Sequence, residues 1–182
     1  MRIRLASSSE TRALLLQNAE IDFIQESVEF DEESIVATSP KNFVYQATLG
    51  KYEANLKAFG INDYPLLVAD TVVTSQNQIL RKAKCKDDAR NILLTQSGNI
   101  TSIITCMIYH SQTKKIVDIS KTDYIFDEFD HDDLESYLES GMWRGKAGGC
   151  MVEGFCKSYI KDVRGYESTA MGLSVEVLKR FM

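Results

Sequence analysis

The sequence predicts a single α/β or α+β domain, and three observations support this fold class. Strand patterns and helix patterns alternate from one end of the chain to the other, as in folds whose helices pack on a sheet. No internal repeat or low-complexity stretch interrupts them. With 182 residues, 44% of them hydrophobic, the chain can bury one sizeable core, so we expect one domain over residues 1–182.

Composition and charge exclude several classes of protein. The net charge of −5 argues against general binding of nucleic acid, which requires a basic face. The segment Met1–Ala6 is too short and too charged to act as a signal peptide, and no stretch approaches the roughly 20 apolar residues of a membrane span. We therefore expect a soluble, cytoplasmic protein that does not bind a membrane.

The cysteines and histidines do not have the spacing of a structural zinc site. There is no CxxC pair, and the two histidines do not follow zinc-finger spacing. We expect reduced thiols in a cytoplasm. The residues concerned are Cys85, Cys106, Cys150, Cys156, His110 and His131.

The first elements are a short strand ending at Leu5 and a helix over about Ser9–Asn18. Ser7 followed by Glu10 has the form of a capping box, which marks a helix start. We expect Leu14 and Leu15 to face the core, and the N-terminus of this helix to present free N–H groups.

The remaining elements follow from caps, alternation and turn residues. Ser39-Pro40 starts a second helix, because proline is tolerated at the first helical position, and Gly60 ends it. β-Branched residues and polar turns predict a hairpin and two long strands. Two further helices are predicted to end at glycines, and the second of them has an acidic first turn that suits the positive end of the helix dipole. The predicted elements are the hairpin Leu66–Thr74 and Gln78–Lys82 turning at Gln76-Asn77, helix Lys86–Gln96 ending at Gly98, antiparallel strands Ile100–His110 and Ile116–Phe126, helix Asp132–Glu139 ending at Gly141, a glycine-rich loop over 141–154, strand Phe155–Val163 and helix Leu173–Phe181.

Asp70 is the most informative single residue, because it interrupts an apolar strand. The run 66–69 is apolar, and Thr71 resumes the strand immediately afterwards. A buried carboxylate costs several kcal/mol unless partners or a metal compensate. Asp70 is therefore either paired with a cation such as Lys82 or used as a base or metal ligand.

Two other groups of residues suggest an anion site opposite this carboxylate. Ser7, Ser8 and Ser9 lead into a helix with Arg12 in its first turn, which fits either a solvated helix cap or a phosphate cradle. Lys51 lies within the alanine face of its helix, so it either snorkels to the rim or points into a cavity, and we favour the cavity.

An acidic cluster and a glycine motif complete the candidates. Asp31, Glu32 and Glu33 are typical of a solvated turn, but beside Asp70 one glutamate of this cluster would complete an oxygen-ligand site for Mg²⁺ or Mn²⁺. Gly141 to Lys146 does not have the spacing of a Walker phosphate loop.

Taken together and in order, these motifs resemble the Maf family over nearly the whole chain. The motifs are Leu5-Ala6-Ser7-x-Ser9-x-x-Arg12, Asp31-Glu32, Lys51, Ala69-Asp70-Thr71-Val72-Val73, Leu80-x-Lys82, Ser97-Gly98, Lys146-Ala147-Gly148 and Gly172-Leu173. The resemblance implies an elongated α/β domain with a mixed, twisted central sheet, flanking helices and a deep cleft, similar to inosine triphosphate pyrophosphatases.

The resemblance also implies an activity. Family members are cytoplasmic, metal-dependent nucleoside triphosphate pyrophosphatases that release a nucleoside monophosphate and pyrophosphate; they were first named as inhibitors of septum formation, and dimers are known. It implies a catalytic role for Asp70, a divalent metal at Glu32 and Asp70, and substrate contacts from Ser7, Arg12, Lys51 and Lys82. Glu10, Ala83 and Thr101 depart from the family pattern without removing a charge that the reaction needs.

The resemblance leaves the preferred base open. Positions that distinguish family subgroups carry Thr11, Thr71 and Glu153, a mixture of the pyrimidine-preferring pattern (dTTP and UTP) and the 7-methyl-GTP pattern.

Two rival functions remain: a nucleotide-sensing regulator of cell division without essential catalysis, and a phosphatase that removes only the terminal phosphate.

Overall fold

The computed structural model describes residues 2–32, 35–152 and 154–182. Its helices are α1 (Glu10–Asn18), α2 (Pro40–Phe59), α3 (Lys86–Gln96), α4 (His131–Ser140), α5 (Glu167–Ala170) and α6 (Val175–Leu178), with a 3-10 helix at Phe155–Tyr159. Its strands are β1 (Ile3–Leu5), β2 (Phe23–Gln25), β3 (Leu66–Ser75), β4 (Gln78–Ile79), β5 (Ile100–His110), β6 (Lys115–Phe126) and β7 (Ile160–Arg164).

The strands form one mixed sheet, which confirms the predicted α/β class with flanking helices. The order is β2-β1-β3-β5-β6-β7, with β4 on β3. β1 is parallel to both β2 and β3, whereas β3–β4 and β6–β7 are antiparallel. Within the described residues, no helix is both long and apolar enough to pass through a bilayer.

Contacts divide the chain into two compact units. The first contains residues 1–71, 104–121 and 166–182, and the second contains residues 72–103 and 122–165. In the first unit, side chains on opposite faces of the strands form two apolar clusters. Leu67 and Ala69 belong to one cluster with residues of α1, and Leu66 and Val68 belong to the other with Tyr52 of α2.

Most element boundaries agree with the sequence prediction. Ser39 caps α2, Gly60 ends it, and Gly141 ends α4 in the left-handed conformation. The hairpin turns at Gln76-Asn77, both with positive φ, but its second arm is shorter than predicted.

Some local predictions for the first unit were wrong. Ser9 caps α1 by accepting from the Arg12 N–H, whereas Ser7 serves another purpose described below. Leu14 faces solvent at 47% exposure, and Leu16 takes its place in the core, whereas the predicted burial of Leu15 is confirmed. The C-terminal helix is shorter than predicted: α6 spans Val175–Leu178, and Leu173 precedes it as a fully buried core residue.

In the second unit, the segment after Gly154 does not begin as a strand. Phe155 and Tyr159 lie four residues apart, so one helical turn brings both rings against Phe129, at centroid distances of 5.2 and 4.9 Å. This packing favours the 3-10 helix, and the strand starts only at Ile160.

The prediction of reduced thiols is also wrong for one pair of cysteines. Cys150 and Cys156 form a disulfide, whereas Cys85 and Cys106 are free. Nothing in their six-residue separation distinguishes a pair from two isolated thiols, because pairing depends on how the intervening loop folds.

The two leucines of α1 provide a direct test of this packing. Leu16→Ala is expected to lower the free energy of unfolding by about 2–5 kcal/mol, because Leu16 is 0% exposed and its removal leaves a cavity. Leu14→Ala makes the same change on the exposed side of the same helix and is expected to cost about 0.5 kcal/mol or less. Urea unfolding of both variants measures the difference, and equal losses would contradict the observed orientation of α1.

Candidate active site

The alternation of β3 separates two neighbouring functional side chains. Side chains of a strand point alternately to its two faces. Asp70 has the same parity as Leu66 and Val68, which pack toward α2, and Thr71 has the parity of Leu67 and Ala69, which pack toward α1. Asp70 therefore meets residues of α2, and Thr71 meets residues of α1.

Asp70 forms an ion pair with Lys51, and Glu32 shares the same ammonium group. Lys51 Nζ lies 2.5 Å from Asp70 Oδ1 and 2.5 Å from Glu32 Oε1. Asp70 is only 7% exposed, so its charge depends on this partner. The sequence left open whether Asp70 is paired with a cation such as Lys82. Asp70 is paired, and the cation is Lys51. The prediction that Lys51 points into a cavity is confirmed, because Lys51 lines the cavity described below.

The chain that precedes α2 is fastened to the helix beside Lys51. The Val28 N–H donates to Asn55 Oδ1 at 3.0 Å, and Asn55 Nδ2 donates to the Lys51 carbonyl at 2.8 Å. The ring of Phe30 lies directly over Gly50, where a Cβ would come within 2.2 Å of the ring. These contacts hold the segment that carries Glu32 close to Lys51.

Arg12 is held by three directed hydrogen bonds. Its Nε donates to the Gly172 carbonyl at 2.7 Å, its Nη1 to Ser7 Oγ at 3.0 Å, and its Nη2 to Thr71 Oγ1 at 3.2 Å. Gly172 has φ +106, and a Cβ there would lie 3.4 Å from Arg12 Nε. The close approach and the left-handed backbone both favour glycine at this position.

A cavity of about 630 Å³ lies beside these groups within the first unit. Its wall includes the three serines before α1, Arg12, Lys51 and residues 27–31. Asp70 adjoins this wall through Lys51, its bonding partner, and through Ala69, its neighbour in the chain. Glu29 and Asp31 also belong to the wall, so the part that suits a polyanion is the side formed by the N-terminus of α1, Arg12 and Lys51.

Burial and charge change the acid–base properties of both sides of the site. Burial raises the pKa of Asp70 and Glu32 adds to the effect, while Lys51 and, more weakly, Arg12 oppose it. Burial lowers the pKa of Arg12, and the nearby carboxylates of Asp70 and Glu32 oppose that change. The guanidinium stays protonated, because its intrinsic basicity is very high. Asp70 is thus a stronger base than an ordinary aspartate.

These opposing influences predict two opposite changes in the pKa of Asp70. Lys51→Met removes the cation that lowers this pKa, so the pKa is expected to rise. Glu32→Gln removes the neighbouring anion that raises it, so the pKa is expected to fall. A ¹³C NMR titration of the Asp70 carboxyl, in metal-free buffer, measures both changes; shifts in the same direction would contradict the arrangement.

The residues present fit a divalent metal in chemical type. The carboxylates of Glu32 and Asp70 both contact the ammonium group of Lys51, so one ion in that position would be within reach of both. Mg²⁺ and Mn²⁺ accept one or two carboxylates together with phosphate oxygens and water. Among residues 2–32, 35–152 and 154–182, no three His, Cys, Asp or Glu side chains form a metal-binding group, so the described residues alone offer only a partial ligand set.

The other predicted site residues lie on α1, in the second unit or outside the described residues. Thr11 is exposed on α1, beside Arg12 in the chain. Lys82 belongs to the second unit, where it is exposed and forms a β-bridge with Ala147; its role in phosphate binding stays a prediction. Glu33 and Glu153 lie outside the described residues, so the proposed role of Glu153 in base selectivity also stays a prediction.

Sequence reasoning missed several residues that shape the site. Phe30 and Asn55 fix the segment before α2, and Thr105 contacts Thr71 from β5. Gly50, in the middle of α2, was the one local signal of the contact with Phe30. A helix interior disfavours glycine unless something packs closely against it.

The site combines a wall that carries two cations and a helix N-terminus with a buried carboxylate on an α/β sheet, and such groups fit chemistry on phosphate groups. Comparison with known proteins is more specific. The family model described as Maf-like protein matches residues 2–182. The chain belongs to the Maf family.

Individual relatives match over nearly their full length. A protein named nucleoside triphosphate pyrophosphatase from a Nitratiruptor species is 57% identical over 178 residues, covering 97% of this chain and 96% of the relative. Proteins of the same name from Helicobacter pylori (strain J99) and Campylobacter jejuni (strain RM1221) are 40% and 38% identical, each covering 98% of this chain and 93% and 98% of the relative.

Proposed function

We propose that this chain is a nucleoside triphosphate pyrophosphatase, which hydrolyses the bond between the α- and β-phosphates to release a nucleoside monophosphate and pyrophosphate. The observation that carries the proposal is the contact of Lys51 with both Asp70 and Glu32 beside a cavity that Arg12 also lines. The names of the relatives support the same reaction.

The first step is binding of the triphosphate by cations. Arg12 and Lys51 lie on the wall of the cavity, with the serines and the N-terminus of α1 beside them. One cation about 4 Å from one phosphate charge contributes on the order of 4 kcal/mol at an effective dielectric constant near 20. A few such groups hold a polyanion even though the whole chain is acidic. Lys82 is proposed as a further phosphate ligand.

Substrate binding also prepares the base. Phosphate oxygens compete with Asp70 for the ammonium group of Lys51. When Lys51 turns to the phosphates, Asp70 is released from its ion pair, and its carboxylate becomes free to hold the metal and to accept a proton. Asp70 then takes a proton from the water that attacks the α-phosphorus, and pyrophosphate leaves.

A divalent cation completes the proposed site. Glu32 and Asp70 would hold Mg²⁺ or Mn²⁺ together with substrate phosphate oxygens. When bound, such an ion neutralises charge that develops on the leaving pyrophosphate. The chain's own contribution is to keep the two carboxylates close together and to orient the triphosphate.

Selection of the nucleobase of the substrate is assigned to three positions. Thr11, Thr71 and Glu153 are proposed to contact the base or ribose side of the nucleotide. A carboxylate at position 153 accepts hydrogen bonds from amino and imino groups such as those of guanine. Relative rates on 7-methyl-GTP, GTP, UTP and dTTP test this role, and a clear preference for pyrimidines would contradict it.

Product identification tests the reaction itself. The purified protein is incubated with this nucleotide panel and Mg²⁺ or Mn²⁺, and the products are separated by anion-exchange chromatography. We expect equal amounts of nucleoside monophosphate and pyrophosphate, with no turnover after chelation of the metal. Nucleoside diphosphate and phosphate would instead indicate a terminal phosphatase, and binding without turnover would indicate a nucleotide sensor.

A further inference from the structure

Three threonines form a continuous line of hydrogen bonds that ends on Arg12. Thr105 Oγ1 lies 2.7 Å from the Thr169 carbonyl oxygen and 2.9 Å from Thr71 Oγ1. Thr71 Oγ1 in turn lies 3.2 Å from Nη2 of Arg12. All four residues belong to the first unit, and Thr105 is fully buried.

The direction of each hydrogen bond follows from the chemistry of its ends. A carbonyl oxygen can only accept, so the one hydroxyl proton of Thr105 goes to Thr169. The Thr105 oxygen therefore accepts from Thr71, whose own proton is used in that bond. The Thr71 oxygen is left as an acceptor for the guanidinium, which can only donate. The carbonyl at the far end of the line thus sets the direction of every bond in it.

The packing of this part of the sheet does not by itself require a hydroxyl group at position 105. The side chain of Thr105 is on the same face of β5 as Met107 and Tyr109, which belong to the hydrophobic core. Valine has the same shape and fits a buried strand equally well. A buried hydroxyl is expensive without partners, so its presence indicates that the partners matter.

We infer that Thr105 is a positioning residue for Arg12, acting through Thr71. It fixes the hydroxyl of Thr71 so that an oxygen lone pair faces Nη2 of Arg12, while Gly172 and Ser7 hold the other nitrogens. The line also makes Thr71 an acceptor toward any ligand, so Thr71 favours an N–H or O–H group of the nucleotide. The effect on substrate affinity rests on the proposed role of Arg12 in binding phosphate.

The first test observes Arg12 without substrate. Thr105→Val removes the hydroxyl and keeps the shape, and Thr105→Ser restores the hydroxyl. Thr48→Val is the matched control, because Thr48 is equally buried. Within the part of the chain that the structure describes, the Thr48 hydroxyl donates to backbone carbonyls only, that of Val44 at 2.7 Å and that of Cys106 at 3.3 Å, with no side chain leading on to Arg12. Hydrogen exchange of the Arg12 side-chain N–H groups is followed by ¹⁵N NMR, with the signals assigned by their loss in Arg12→Lys.

We expect exchange at Arg12 to be faster in Thr105→Val and to return to the wild-type rate in Thr105→Ser. Thr48→Val is expected to lower stability while leaving exchange at Arg12 unchanged. Unchanged exchange in Thr105→Val would overturn the inference. If Thr105→Val folds poorly, Thr105→Ala is measured in the same way and judged by the same outcome.

A kinetic measurement separates this inference from the proposed function. We expect Thr105→Val to raise KM about three- to tenfold, as for the loss of one hydrogen bond, with a smaller change in kcat. Faster exchange with a raised KM supports both proposals. Faster exchange with an unchanged KM supports the positioning role and contradicts the assignment of Arg12 to phosphate binding.

Discussion

Replacement of Asp70 by asparagine is expected to reduce kcat about a thousandfold or more while largely sparing nucleotide binding. Asparagine keeps the shape of the side chain but neither ionises nor accepts a proton, and a general base contributes about 10²–10⁴-fold to a rate. Loss of one proposed metal ligand adds to the effect. Binding is spared because removal of a negative charge beside Lys51 does not weaken attraction for a polyanion.

Pyrophosphate release and nucleotide binding are both needed to judge this variant. Asp118→Asn provides a control, because Asp118 is a half-buried aspartate on β6 of the same unit and accepts from Ser120 Oγ at 2.7 Å. It is expected to retain turnover close to that of the unmodified protein. If Asp70→Asn matched this control in kcat, Asp70 would not be the base.

Replacement of Arg12 by leucine is expected to lower kcat/KM about a hundredfold or more. The change removes a cation from the cavity wall, and charge-assisted hydrogen bonds to phosphate are among the strong polar contacts in proteins. It also removes three internal hydrogen bonds, including the bond to the Gly172 carbonyl. The loss in activity is therefore expected together with a loss in stability.

Arg12→Lys separates these two effects. Lysine keeps the positive charge but cannot reproduce the planar set of directed bonds to Gly172, Ser7 and Thr71. We expect kcat/KM of Arg12→Lys to lie between the values of the wild type and of Arg12→Leu. Thermal unfolding of each variant measures the accompanying change in stability. Wild-type kcat/KM in Arg12→Leu would contradict a role for Arg12 in binding substrate.

Local signals were sufficient to predict much of the fold. Helix α3 was predicted with its observed bounds because Gly98, which ends it, follows its last residue closely in the sequence. The position of Asp70 within a strand was equally clear, since one charge interrupts an apolar run. Such features depend on residues a few positions apart, which a sequence displays directly.

The parts that sequence did not predict depend on distant contacts or on ambiguous patterns. Leu14, Leu15 and Leu16 are consecutive, so hydrophobicity alone does not set the phase of α1. The line from Arg12 to Thr105 joins residues 93 positions apart, and a threonine in a β-branched strand carries no signal of its partners. The contact of Lys51 with both Asp70 and Glu32 likewise requires the folded chain.

A crystal structure with a triphosphate analogue, non-hydrolysable between its α- and β-phosphates, tests the central claim most directly. We expect the phosphates to lie in the first unit against the serines before α1, with Arg12 and Lys51 in contact and Asp70 facing the α-phosphorus. An analogue bound elsewhere, with the pair of Lys51 and Asp70 undisturbed, would contradict the account.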